Sequence, residues 1–127
     1  MKPALAAFAA CVPLWTSAAT PQQVAEAYAA SARTAPSPAQ GQRLFTTTHG
    51  REWSCASCHG EVPIGMGRHA RTGKPIEPLA PSANPARLTD PARVEKWLRR
   101  NCNDVLGREC SAQEKADVTS WLTGIKP

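Results

Sequence analysis

The chain has 127 residues, with 15 Lys and Arg against 10 Asp and Glu, for a formal net charge of +5. That length suits one small domain with a modest core. The basic excess comes without a nucleic-acid-binding motif or interleaved aromatics, which excludes nucleic acid as the expected partner and favours an acidic protein surface.

Residues 1–19 read as an export signal. Lys2 is the positive start, Pro3 to Trp15 an apolar stretch, and Ser17-Ala18-Ala19 a small-residue cleavage site. The apolar run is shorter than the roughly 20 residues of a membrane span, and Pro13 interrupts it. Cleavage after Ala19 leaves residues 20–127 as a single domain in an oxidising, exported compartment, the periplasm.

Four helices are marked by their caps, and no strand-like alternation or internal repeat accompanies them, so the expected class is all-α. Thr20-Pro21-Gln22-Gln23 opens the first, an Ala-rich run to about Ser31. Ser37-Pro38-Ala39-Gln40 opens a second, through about Phe45 or Thr46. His49 then falls in a Thr-rich loop.

Cys55-Ala56-Ser57-Cys58-His59 follows, the C-x-x-C-H signature of c-type haem attachment. Cysteines three apart share one helical turn, so both thiols can reach the two vinyl groups of one porphyrin. The adjacent His59 is carried beneath the ring, where a neutral imidazole nitrogen binds iron. One covalent haem is therefore the expected cofactor. From Gly60 to Thr89, prolines at 63, 75, 78, 81 and 85 exclude a long helix and favour an extended loop around the haem edge. Arg71 and Lys74 in this loop are candidates for pairing with the haem propionates, and Asn84 reads as a polar turn residue.

Asp90-Pro91 opens the third helix, to about Asn103, and Ser111-Ala112-Gln113-Glu114 is a capping box for the fourth, stopped near Gly124. The fourth places Val118, Trp121, Leu122 and Ile125 on one core-facing side. The third offers Val94, Trp97, Leu98 and then Asn101, a carboxamide where the 3.6-residue period asks for an apolar residue. Trp53, Trp97 and Leu98 are candidates to wall a haem pocket. Of five cysteines, Cys11 leaves with the signal and Cys55 and Cys58 take the haem. Cys102 and Cys110 remain, and in an oxidising compartment they are expected to pair. A four-cysteine zinc site is the competing reading, disfavoured by the wide spacing of the second pair.

The sixth position on the iron has several candidates. Asn101 could cap its own helix end, or offer its amide oxygen as a weak, hard ligand that suits ferric iron and is easily lost from ferrous iron. Met66 is seven residues past His59, a short tether for reaching the opposite face of the ring. His69, ten residues past, is the stronger competitor. Asn103 lies roughly opposite Asn101 on the helix.

The motif, the segment Arg71 to Ser82, Thr89-Asp90, Val94-Glu95-Lys96-Trp97 and Arg100-Asn101-Cys102-Asn103 through Cys110 closely resemble the sphaeroides haem protein family. The likeness runs from about Val24 to Leu122. The resemblance implies a class I-like cytochrome c fold around one haem, with His59 and Asn101 as axial ligands and a Cys102–Cys110 disulfide. It also implies that the asparagine leaves on reduction, freeing the iron for O2 or NO. Electrons are expected from a dihaem cytochrome c and a membrane cytochrome b. The alternatives are a plain six-coordinate electron-transfer cytochrome, with His69 or Asn101 as sixth ligand, and a peroxidase or NO-oxidising enzyme with His69 as distal acid–base group.

Overall fold

The computed structural model describes residues 18–127, so Cys11 and all of the expected export signal except Ala18 and Ala19 lie outside the described residues. Among the described residues there are five helices: α1 (Pro21–Ser31), α2 (Pro38–Thr46), α3 (Ala56–His59), α4 (Pro91–Leu106) and α5 (Ala112–Gly124). Each long helix starts where its cap predicts. Thr20 Oγ1 accepts from the Gln23 amide at 3.1 Å while the Thr20 amide donates to Gln23 Oε1 at 2.8 Å. Ser111 and Glu114 repeat that reciprocal pair on α5, and Ser37 and Asp90 cap α2 and α4. These bonds satisfy donors that the first helical turn leaves free.

Two departures from the sequence expectation have local causes. α4 runs three residues past Asn103, because Gly107 adopts a left-handed conformation (φ 72°, ψ 13°) and its amide closes on the Asn103 carbonyl. The Pro-rich loop contains a two-residue antiparallel pair, β1 (Gly67–Arg68) against β2 (Pro75–Ile76), with Gly67 opposite Ile76. The turn between them is closed by the His69 amide on the Lys74 carbonyl at 2.8 Å and by the Gly73 amide on the His69 carbonyl at 2.8 Å. Such a short ladder has too few residues to show period-two alternation.

α1 and α2 both pack on α5. The core joins Val24 of α1, Phe45 of α2, Val94 of α4 and Val118, Trp121 and Leu122 of α5, with Leu88 from the loop; Ile125 is partly buried against it. Phe45 and Trp121 set their rings 5.0 Å apart. α2 approaches α5 so closely that a Cβ on Gly41 would collide with the Asp117 carbonyl. Asp117 is itself only 7% exposed. Its carboxylate is satisfied by the Ser37 amide at 2.8 Å and Gln113 Nε2 at 2.9 Å.

Among the described residues, Cys102 and Cys110 form a disulfide with Cα atoms 5.5 Å apart, as expected. With these two sulfurs joined to one another, a four-cysteine zinc site is excluded.

Replacing a helix-interior glycine by alanine ordinarily gains up to about 1 kcal/mol. At Gly41 the overlap with the α5 backbone reverses the sign, and Gly41→Ala is expected to lose about 1–3 kcal/mol in denaturant unfolding. The Glu114 carboxyl is held down to about 2, chiefly by hydrogen bonds from the Arg108 guanidinium at 2.7 and 2.8 Å. A carboxyl depressed on folding contributes stability above its ordinary value of 4.5 and loses it as the pH falls toward 2. Melting temperature measured across that window should therefore fall less steeply for Glu114→Gln than for the wild type.

Candidate haem centre

The sequence Ser54-Cys55-Ala56-Ser57-Cys58-His59 makes a single helical turn that it could not hold alone, since one turn has too few backbone bonds to offset its nucleation. Side chains supply the missing bonds. The Ser54 amide donates to Ser57 Oγ at 3.0 Å and the Ser57 amide to Ser54 Oγ at 3.2 Å. The amides of Cys58 and His59 both close on the Cys55 carbonyl, at 3.2 and 3.1 Å. Gly60, at φ 80°, ends the turn.

This turn presents two cysteines that are free among the described residues, each half-buried, with the imidazole directly after them. Burial pushes the Cys55 thiol up to about 11, so it is protonated at neutral pH. Burial, reinforced by the positive charge of Arg87, lowers His59 to about 4, leaving a neutral imidazole able to donate a lone pair. The His59 ring sits 6.0 Å from that of Phe45. Cys55 and Ala56 also pack against the core, so the turn is anchored on its inner side.

The loop after the motif doubles back beneath it. The buried Pro63 offers its carbonyl to the Leu79 and Ala80 amides, both at 3.0 Å. Gly67 passes so near the Cys58 carbonyl that any Cβ would clash, and the Ala70 amide approaches Cys58 Sγ at 3.2 Å. Val62, Ile64 and Met66 are 51%, 40% and 64% exposed, and Trp97 on α4 is 46% exposed. Two free thiols on one turn, a neutral imidazole directly after them and exposed apolar side chains in the following loop fit covalent haem c. Cys55 and Cys58 would hold it and His59 would bind its iron.

The remaining candidates are dispersed. Asn101 lies inside α4, five residues before its end, so it does not cap that helix. It is half-buried, and its carboxamide has no hydrogen-bond partner among the described residues. Asn103 differs, donating Nδ2 to the Arg99 carbonyl at 2.8 Å. His69 is exposed in the β1–β2 turn, with Nδ1 accepting from the Thr72 amide at 3.2 Å. His49 is exposed, its Nε2 2.8 Å from the Leu44 carbonyl. Asn84 serves its loop, accepting from the Ala86 amide at 3.3 Å.

Arg71 stacks over Trp53 at 5.2 Å, beside a cleft of about 330 Å³ lined also by Arg51, Glu52 and Asp104. Lys74 is exposed. Leu98 packs against the core, whereas Trp97 lies outward with Arg100 5.4 Å from its ring. A larger cleft, about 480 Å³, lies between α2 and the start of α5 and shares no lining residue with the motif.

Sequence reasoning missed Arg87, whose charge acts on His59 from a loop without periodic signal. It also missed the Glu95 carboxylate. That group accepts from Tyr28 Oη of α1 at 2.9 Å and from Lys115 Nζ of α5 at 2.7 Å, tying three helices together. Glu95 was legible only as a charged residue on the third helix, since its partners lie 67 and 20 residues away.

Residues 31–122 match a family model described as a domain of unknown function, DUF1924. The chain is 50% identical over 107 residues to the cytochrome c-type protein SHP of Cereibacter sphaeroides, covering 81% of this chain and 82% of that protein. It is 46% identical over 86 residues to cytochrome c'' of Methylophilus methylotrophus, covering 67% of this chain and 60% of that one. Among solved structures, oxidised SHP, described as an oxygen-binding cytochrome c, superposes with a TM-score of 0.77 at 48% identity, covering 83% of this chain and 96% of that one. A solution structure of the Methylophilus cytochrome c'', presented as bearing on haem-ligand detachment, gives a TM-score of 0.70 at 37% identity, covering 84% and 94%.

Proposed function

The chain belongs to the family of the cytochrome c-type protein SHP, a class I-like helical cytochrome, and on that premise we propose how its own residues operate the iron. Cys55 and Cys58 form the two thioethers, His59 is the permanent axial ligand, and Asn101 is a second, labile ligand. The amide oxygen engages in the ferric state and withdraws on reduction, opening that position to O2 or NO. Haem c supplies, when bound, a one-electron iron centre with two axial positions. The protein is exported to the periplasm after cleavage near Ala19, and it exchanges electrons with a dihaem cytochrome c and a membrane cytochrome b.

One observation carries this reading: the half-buried Asn101 carboxamide has no partner among the described residues, in mid-helix, on the stripe shared with Val94, Trp97 and Leu98. Among the described residues no buried side-chain polar atom lacks a partner, so the Asn101 amide is open to solvent and free to take a ligand. The relatives support the same chemistry, since one is described as oxygen-binding and the other in terms of a haem ligand that detaches.

His69 fits the second axial role less well. Its turn is closed by two backbone bonds, and its neighbour Ala70 is held at Cys58 Sγ, on the attachment turn itself. Moving His69 to the opposite face of the ring would break these contacts.

Absorption spectra of the holo-protein test the assignment. Asn101→Ala should alter the ferric spectrum and leave the ferrous, carbon monoxide-bound spectrum close to wild type. His69→Ala should change neither. A ferric spectrum of Asn101→Ala that overlays the wild type removes Asn101 as a ligand.

A further inference from the structure

The cleft between α2 and the start of α5, about 480 Å³, is lined by a guanidinium, that of Arg43, and by the deeply set carboxylate of Asp117. Its volume is that of a small-molecule site. None of the ion pairs among the described residues joins these two opposite charges. Asp117 is 7% exposed, and both hydrogen bonds it accepts fall on Oδ1, from the Ser37 amide at 2.8 Å and Gln113 Nε2 at 2.9 Å. Oδ2 has no partner among the described residues. No fully buried side-chain oxygen lacks a partner there, so Oδ2 keeps a path to solvent, and the cleft that Asp117 lines supplies it. A carboxylate oxygen largely withdrawn from water favours a donor brought by a ligand. A haem propionate, itself an anion, could not be that ligand.

The surrounding bonds hold that carboxylate in one orientation. Gln113, one turn before Asp117 on α5, accepts from the Thr34 amide and from Thr34 Oγ1 on its Oε1, both at 3.0 Å. Its amide nitrogen is thereby directed at Asp117. The Asp117 backbone lies against Gly41, so α2 is fixed across the cleft from it. On the α2 wall, Gln40, Arg43, Leu44 and Thr47 recur at helical spacing. Arg43 Nε donates to Gln40 Oε1 at 3.2 Å, which orients the guanidinium, and its two terminal nitrogens take no part in that bond. Leu44 and Ala35 add apolar surface to the same lining. No group of His, Cys, Asp and Glu among the described residues is disposed to hold a metal ion, so the occupant is organic.

We propose that this cleft binds a small zwitterionic amino acid, its ammonium group on Asp117 Oδ2 and its carboxylate on the Arg43 guanidinium. A simple amine would leave the guanidinium uncompensated, and a simple carboxylic acid would be repelled by Asp117. A molecule carrying both charges makes a charge-assisted hydrogen bond at each end. Methylene groups between those ends suit the Leu44 and Ala35 surface. Arginine fits the carboxylate end because its planar fork can hold two oxygens at once. The inference is independent of which side chain binds the iron, since Cys55, Cys58, His59 and Asn101 all lie outside the lining of the cleft.

Amide NMR titration of the holo-protein with glycine and γ-aminobutyrate, a short and a long zwitterion, tests this, with n-butylamine and butyrate as single-charge controls. At least one zwitterion is expected to shift the Ser37 and Gln113 amide signals saturably and to bind about tenfold tighter than either control. Arg43→Gln should abolish most of the preference over n-butylamine and leave n-butylamine binding itself unchanged. Asp117→Asn keeps an acceptor for the Ser37 amide and should abolish the preference over butyrate. Saturable binding of neither zwitterion, n-butylamine binding as tightly as the better zwitterion, or an Arg43→Gln variant that keeps the wild-type preference overturns the proposal. Should Asp117→Asn yield no folded protein, Arg43→Gln decides alone, because Arg43 is exposed and its side chain bonds only to Gln40 among the described residues.

Discussion

Phe45, packed between His59 and Trp121, is the contact through which the core governs the candidate haem centre. The four-residue α3 helix is too short to persist by itself. It is held because its last residue leans on a ring already fixed by α5, at centroid distances of 6.0 and 5.0 Å. The close approach of α2 to α5 at Gly41 sets where that ring stands. The same burial tunes the chemistry, leaving His59 a neutral donor and Cys55 a protonated thiol. Both are the forms wanted by a site in which a thiol adds across a vinyl group and an imidazole lone pair meets iron.

α4 is attached along its back. Glu95 joins it to Tyr28 and Lys115, Arg99 reaches Glu109, and Cys102 is bonded to Cys110. These positions, 95, 99 and 102, recur at helical spacing on one side of α4, while Val94 and Leu98 face the core and Trp97 and Asn101 lie beside them. Exposed ion pairs contribute little individually, but Glu95 links two other helices and a covalent bond follows two turns later. A helix held in this way keeps its backbone in place while one carboxamide side chain engages or withdraws, which is the motion the proposed ligand exchange requires.

The Pro-rich loop is structural as well as connective. Its buried Pro63, its crossing at Gly67 and its short ladder fold it under the attachment turn. From the same loop, the positive charge of Arg87 helps keep His59 neutral. Loops of this length in a compact domain commonly carry function, and here the loop supplies both a floor and a charge.

What could be read from the chain by itself was local. The caps at Thr20, Ser37, Asp90 and Ser111 are short-range hydrogen bonds between residues three apart, so local sequence alone places the helix starts. The C-x-x-C-H spacing is likewise a property of one turn, and the apolar stripe of α5 follows its period. The end of α4 was legible in principle at Gly107, but the polar run from Asn101 to Asp104 obscured it. Tertiary structure decided everything that depends on residues distant in sequence. It set the grip of the Glu77 and Pro78 carbonyls on the Arg87 guanidinium, the three-helix contact at Glu95 and the collision guarded by Gly41. None of these has a periodic signature, because each depends on where a loop or a second helix lies in space and not on the order of neighbours along the chain.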